Sequence, residues 1–100
     1  MPQFALYAQL KARPGKAADL EAFLKSALPL ANAEPGTVTW YAFQEDEGAY
    51  GIFDTFDTEA ARQAHLDGPI AKALMSKASE LLAQPPAIHK IHLLAAKVGR

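Results

Sequence analysis

Two side chains stand out for the company they keep. Asp54 lies in "GIFDTFD" (residues 51–57), where strand periodicity puts it on one face with Tyr50, Ile52 and Phe56. A carboxylate amid an apolar stripe must find a partner or take up a proton, because burying an isolated ionised group is costly. His65 follows in "TEAARQAHL", a helical pattern in which Ala61 and Ala64 are its small neighbours. Histidine is the side chain whose ordinary pKa best suits proton transfer near neutral pH. The pair points to acid–base chemistry. The other reading is a strand-end carboxylate reaching solvent and a hydrogen-bonded semi-core histidine, and spacing alone leaves both open.

Other chemistries find less support. His89 and His92 are three apart on a strand, so they point to opposite faces and cannot hold one ion together. His65 has no His or Cys at i+3 or i+4, so no zinc or iron ligand set is visible and no metal is expected. The glycines at 15, 36, 48, 51 and 68 are scattered and make no phosphate loop. Ser26, Ser76 and Ser79 lack a nucleophile-elbow motif. The chain has no cysteine, which removes disulfides, thiol nucleophiles and thiolate metal sites. A formal net charge of −1 gives no field to recruit nucleic acid or an anionic membrane. No apolar run approaches the about 18 residues of a membrane-spanning helix. "MPQFALYAQLKARPG" lacks the basic and unbroken apolar regions of a secretory signal. The expectation is a cytoplasmic protein.

Those two residues must be positioned by the rest of the chain. Residues 3–12 alternate as a strand, with Phe4, Leu6, Ala8 and Leu10 on one face. From 16 to about 32, Ala17, Leu20, Phe23, Leu24, Ala27 and Ala31 recur at helical spacing. Pro29 should kink or end that helix near Leu28, and "EPG" breaks the chain at 34–36. Residues 37–45 and 49–57 read as a hairpin around "DEG". Thr58 is a suitable N-cap for a helix to about Leu66, and Gly68–Pro69 restarts a second helix over 69–83. Residues 87–98 form the last strand. The order is β-α-β-β-α-β with the second α broken: an α+β, ferredoxin-like antiparallel sheet with helices on one face, in a single domain over 1–100.

The strands are apolar on both faces. Trp40 and Val38 oppose Tyr41 and Phe43 in parity, Ile52 and Phe56 oppose Phe53, and Ile91 and Leu93 oppose Ile88 and Leu94. A sheet with one wet face should alternate more sharply. Helices can cover one side, and a second copy of the chain is the most economical cover for the other.

The runs "AEPGTVTWYAFQE" and "YGIFDTFDTEAARQAHLDGPIAKAL" resemble the antibiotic biosynthesis monooxygenase family. The "EPG…Y" hairpin opening, the "F-D-x-F" strand and the "A-x-x-A-H-L" helix fall in register, and the likeness covers nearly the whole chain. The resemblance implies a dimeric α/β barrel, a homodimer with a pocket in each subunit between sheet and helices. It places the family histidine on His65 and the strand carboxylate on Asp54. It does not fit the haem-degrading branch, whose pocket asparagine, tryptophan and haem-ligand histidine fall here on Ala8, His65 and Met75.

The activity implied is a cofactor-independent monooxygenase taking a small aromatic or quinol-type substrate and dioxygen. A phenol or enol that loses a proton can pass an electron to dioxygen, so the protein supplies a base and a dry pocket. His65 is then base or proton shuttle, with Asp54 fixing its tautomer or accepting from the substrate. Trp40, Tyr50, Phe56, Leu6, Phe23 and Leu74 are the expected pocket walls, although the parity of Trp40 leaves open whether it faces pocket or dimer. The competing readings are a non-enzymatic small-molecule-binding dimer and a keto-enol isomerase on the same fold.

Overall fold

Period-two runs become strands and period-3.6 runs become helices in the computed structural model, which describes residues 2–98. The outermost positions of the expected 1–100 domain lie outside the described residues. The elements are β1 (Phe4–Lys11), α1 (Ala17–Ser26), α2 (Leu28–Asn32), β2 (Thr37–Asp46), β3 (Ala49–Phe56), α3 (Glu59–Leu66), α4 (Pro69–Leu81) and β4 (Ala87–His92). The strands form one antiparallel sheet in the order β2-β3-β1-β4. The fold is α+β and ferredoxin-like.

Pro29 divides the first helical stretch. It has no N–H to offer the Lys25 carbonyl, and the chain tightens so that Ala27 N–H bonds the Leu24 carbonyl at 3.2 Å. α2 then restarts with Pro29 in its first turn, where the missing donor costs nothing. The second broken helix behaves alike: Thr58 Oγ1 accepts from Ala61 N–H at 3.1 Å to cap α3, and Pro69 opens α4.

One face of the sheet meets the helices. There Leu6, Ala8 and Leu10 of β1 lie opposite Asp54, Ile52 and Tyr50 of β3, and Phe56 lies opposite Phe4. Leu20, Leu24, Leu74, Leu81 and Leu82 close over that surface as the main core. On the other face, Phe43 reaches across Gly51, where any Cβ would collide with its ring. That reach lets Tyr7 stack between Phe43 and His89, with centroids 6.1 and 5.7 Å away.

Three expectations need correction. β4 ends at His92 rather than at residue 98, because β1, its one partner among the described residues, begins at Phe4 directly opposite. Leu93 adds one bond to the Gln3 carbonyl at 2.8 Å, and Leu94 beyond it is exposed. Val38 and Trp40 do not share a register as simple parity predicts. Thr37 and Thr39 face Phe56 and Thr55, so the extra residue of a bulge is Val38. Trp40 lies opposite Asp54 on the helix side, packed against Ala27, Ala31 and Ile70, in a register set by a second irregularity where Gln44 and Asp46 face Tyr50 and Ala49. Ala64 is exposed, so of the two small neighbours of His65 only Ala61 faces inward.

Candidate active site

β3 carries Asp54 into the interior and α3 brings His65 down onto it. Asp54 is 1% exposed, flanked across the sheet by Leu6 and Trp40. The inward face of α3 holds two buried residues, Arg62 and His65, and both are polar. Arg62 Nη1 donates to the Ile91 carbonyl at 3.1 Å and the Ala5 carbonyl at 3.4 Å, and its guanidinium sits 5.2 Å above the Phe4 ring. That anchor sets the height and rotation of α3 over the sheet. His65, one turn later, lies with Nε2 2.9 Å from Asp54 Oδ2.

The second ring nitrogen meets a residue that sequence reasoning missed. His65 Nδ1 is 2.6 Å from Glu34 Oε1, which also accepts from Thr37 Oγ1 at 2.7 Å. Glu34 read as part of the "EPG" breaker, and no local pattern pairs it with a histidine 31 positions away. The approach depends on small residues. A Cβ on Gly36 would stand 2.9 Å from the Ala61 Cβ, so the absence of one lets the start of β2 close against α3.

A carboxylate–imidazole–carboxylate row results, Glu34–His65–Asp54. Each contact needs a proton between its heavy atoms, so the row holds two protons and a net charge of −1 whichever groups carry them. Burial raises the Asp54 pKa above 3.8; the hydrogen bond and charge of His65 oppose that rise without cancelling it. For His65, burial is the largest single influence and lowers the pKa. The bonds and charges of Asp54 and then Glu34 together outweigh it, leaving the imidazole above 6.5. Two buried carboxylate atoms have no hydrogen-bond partner among the described residues, Asp54 Oδ1 and Glu34 Oε2.

Beside Asp54 is a small cavity of about 40 Å³ between sheet and helices. Its polar lining is Asp54 and His65; Leu6, Ile52, Leu74 and Ile88 are among its apolar walls. Of the residues expected at the site, Asp54, His65, Leu6 and Leu74 come together here. Phe56 is fully buried with its ring 5.4 Å from the His65 ring, but outside the cavity. Trp40 borders Asp54 from the far side of the strand pair, with its buried Nε1 also unpartnered. Tyr50 belongs to the main core two residue pairs along β3, and Phe23 packs at the edge of that core on α1. Ile52 was legible from its parity with Asp54; Ile88 and Ile70 enter the lining only through tertiary packing.

Among the described residues no group of three or more His, Asp, Glu or Cys side chains is arranged to hold a metal ion. His65 has both nitrogens engaged by carboxylates, and His89 and His92 register with Tyr7 and Phe4 on opposite faces. Among the described residues no helix is long and apolar enough to cross a membrane.

The whole chain resembles known structures. It aligns over 100% of its length, and 97% of the other chain, with a protein of unknown function from Nitrosomonas europaea, NE2512, at 53% identity and a TM-score of 0.97. Rv0793 from Mycobacterium tuberculosis matches at 22% identity and a TM-score of 0.84, covering 95% of this chain and 98% of that one. PA3566 from Pseudomonas aeruginosa matches at 24% identity and 0.81, covering 95% and 97%. No curated protein matches the chain at a significant level. The sequence profile described as "Antibiotic biosynthesis monooxygenase" matches residues 3–77, which span β1 through most of α4 and so include Glu34, Asp54 and His65. The chain belongs to the antibiotic biosynthesis monooxygenase family.

Proposed function

We propose that the protein is a cofactor-independent, cytoplasmic monooxygenase that deprotonates a small phenol or quinol and lets the anion react with dioxygen. The observation that carries this reading is the unpartnered Asp54 Oδ1 on a buried carboxylate that helps line an apolar cavity. His65 cannot be the atom that touches substrate, because carboxylates occupy both its nitrogens. Asp54 therefore accepts the proton at Oδ1, and His65 and Glu34 stabilise it from behind. Burial makes Asp54 a stronger base than a surface carboxylate, which narrows the gap to the substrate hydroxyl.

In the overall reaction a hydroquinone and one dioxygen give a hydroxyquinone and one water. Dioxygen supplies the inserted oxygen atom and accepts the four electrons that the hydroquinone loses. The protein contributes a base, exclusion of water and orientation. The small cavity takes the reacting edge of the substrate, with the remainder outside it.

Oxygen uptake with a panel of hydroquinones and no added cofactor tests the reading. Asp54→Asn keeps the shape and removes the base, so turnover should fall by about a hundred- to ten-thousand-fold. Undiminished turnover in that variant overturns the mechanism. Turnover that continues without oxygen replaces it with keto-enol isomerisation, and tight binding without turnover makes the protein a binder.

A homodimer completes the reading. On the sheet face away from the helices, Tyr41 is 58% exposed, beside the half-buried Phe53 and Phe43. A second copy packed there buries this aromatic surface and makes a barrel of two sheets. The expected mass in solution is twice 10.8 kDa, and Tyr41→Lys should lower it toward the single-chain value. A wild-type mass of one chain removes the dimer.

A further inference from the structure

The two ends of the row Glu34–His65–Asp54 are not equivalent. Glu34 Oε1 accepts from Thr37 Oγ1 at 2.7 Å and meets His65 Nδ1 at 2.6 Å. The turn that carries Glu34 is closed by Thr37 N–H on the Glu34 carbonyl at 3.4 Å, and Gly36 seats that turn against Ala61. Asp54 meets Nε2 at 2.9 Å, and its Oδ1 has no partner among the described residues. Hydrogen bonds to a carboxylate favour its charged form, whereas burial without them favours the protonated one. Burial does push Asp54 toward its protonated form. Glu34 is the better-held anion.

Asp54 and Glu34 are also the charged side chains that act on His65. Arg62, one turn earlier on α3, is taken up by the Ile91 and Ala5 carbonyls and by Glu59. β2 contributes Thr37, while β1 and α4 bring Leu6, Ile70 and Leu74 to this side, all uncharged.

We propose that Glu34 is the positioning residue that fixes the tautomer of His65: the Nδ1 proton stays on the imidazole, and the second proton of the row moves between Nε2 and Asp54 Oδ2. In that step the Nε2–H bond breaks as the Oδ2–H bond forms, and no other reactant is needed. The sequence left two roles for Asp54, fixing the tautomer or accepting a proton. Glu34 takes the first and Asp54 keeps the second. The placement of the protons stands on the row alone, and its part in turnover rests on the reading of Asp54 as the base.

Nitrogen-15 NMR of the imidazole rings over a pH series provides the test, with the His65 signals assigned by their absence in His65→Gln. As the row loses its first proton, the Nε2 resonance should move to that of a bare ring nitrogen. Nδ1 should stay protonated, its proton far downfield in a short charge-assisted bond. Nδ1 becoming the bare nitrogen, or both nitrogens moving alike, overturns the proposal. Glu34→Gln should reverse the tautomer and leave the proton on Nε2 facing Asp54. Thr37→Val should weaken the preference for Nδ1. A folded Glu34→Gln protein that keeps its Nδ1 proton also overturns the proposal, and where that variant does not fold the wild-type titration decides alone. The readout needs no turnover, so it separates from the oxygenase reading. A retained Nδ1 proton with no oxygen uptake by any hydroquinone would leave this inference standing and remove the oxygenase. Oxygen uptake by a protein whose Nδ1 is bared first would do the reverse.

Discussion

α3 and α4 lie on the same sheet face, consecutive in the chain, and are held there by opposite means. α4 docks through Ile70, Leu74 and Leu81, all 5% exposed or less. α3 docks through Arg62 and His65, whose polar atoms reach backbone carbonyls and carboxylates. Apolar packing is non-directional, so α4 is stabilised by area and tolerates small shifts. Polar docking is directional: contacts of 2.6 and 2.9 Å leave His65 little freedom. Of the two, the helix that does less for hydrophobic stability is the one that brings His65 to Asp54.

Substitutions can break that contrast, beginning with the largest effect. Leu81→Ala removes a core side chain of α4 away from the cavity and should cost about 2–5 kcal/mol in chemical denaturation, with the cavity geometry unchanged. Arg62→Ala should cost less, about 1–3 kcal/mol, since it leaves the Ile91 carbonyl without its donor. If α3 positions the site as argued, that variant also weakens ligand binding beside Asp54, whereas Leu81→Ala does not. Equal losses of binding in both variants would erase the distinction between the helices.

His65 sharpens the contrast through pH. Its pKa is raised above 6.5 in the folded protein, so the folded state keeps a proton that the unfolded chain has released. The associated stability is fully present below 6.5 and is lost as pH rises through the folded pKa. Asp54, raised above 3.8, has the same sign at lower pH: its ionisation weakens the fold as pH rises through its own folded pKa. Urea midpoints of the wild type should therefore fall on the alkaline side of 6.5, and His65→Gln should flatten that decline. A wild-type midpoint that climbs there would show that the imidazole is not held as its two carboxylates require.

Much of this was readable in the chain. The alternation through "YGIFDTF" put Tyr50, Ile52, Asp54 and Phe56 on one face, and all four are buried there. Pro29, Thr58 and Pro69 marked helix boundaries through donors and caps that act within a few residues. Glu34 was not readable. Its role depends on a loop and a helix meeting where Gly36 faces Ala61, a contact with no trace in local spacing. The side taken by Trp40 was decided by the extra residue at Glu45, where Gln44 and Asp46 face Tyr50 and Ala49, since one extra residue beside the turn reverses every parity assignment beyond it.

Backbone sterics, periodicity and capping act over one or two turns, and so residue order alone dictated the elements, the apolar face and the oddity of a carboxylate within it. The row Glu34–His65–Asp54, the small cavity beside Asp54 and the length of β4 came from the folded chain. Each is a matter of segments far apart in sequence meeting to within a few tenths of an ångström, and packing, rather than local preference, fixes distances of that kind.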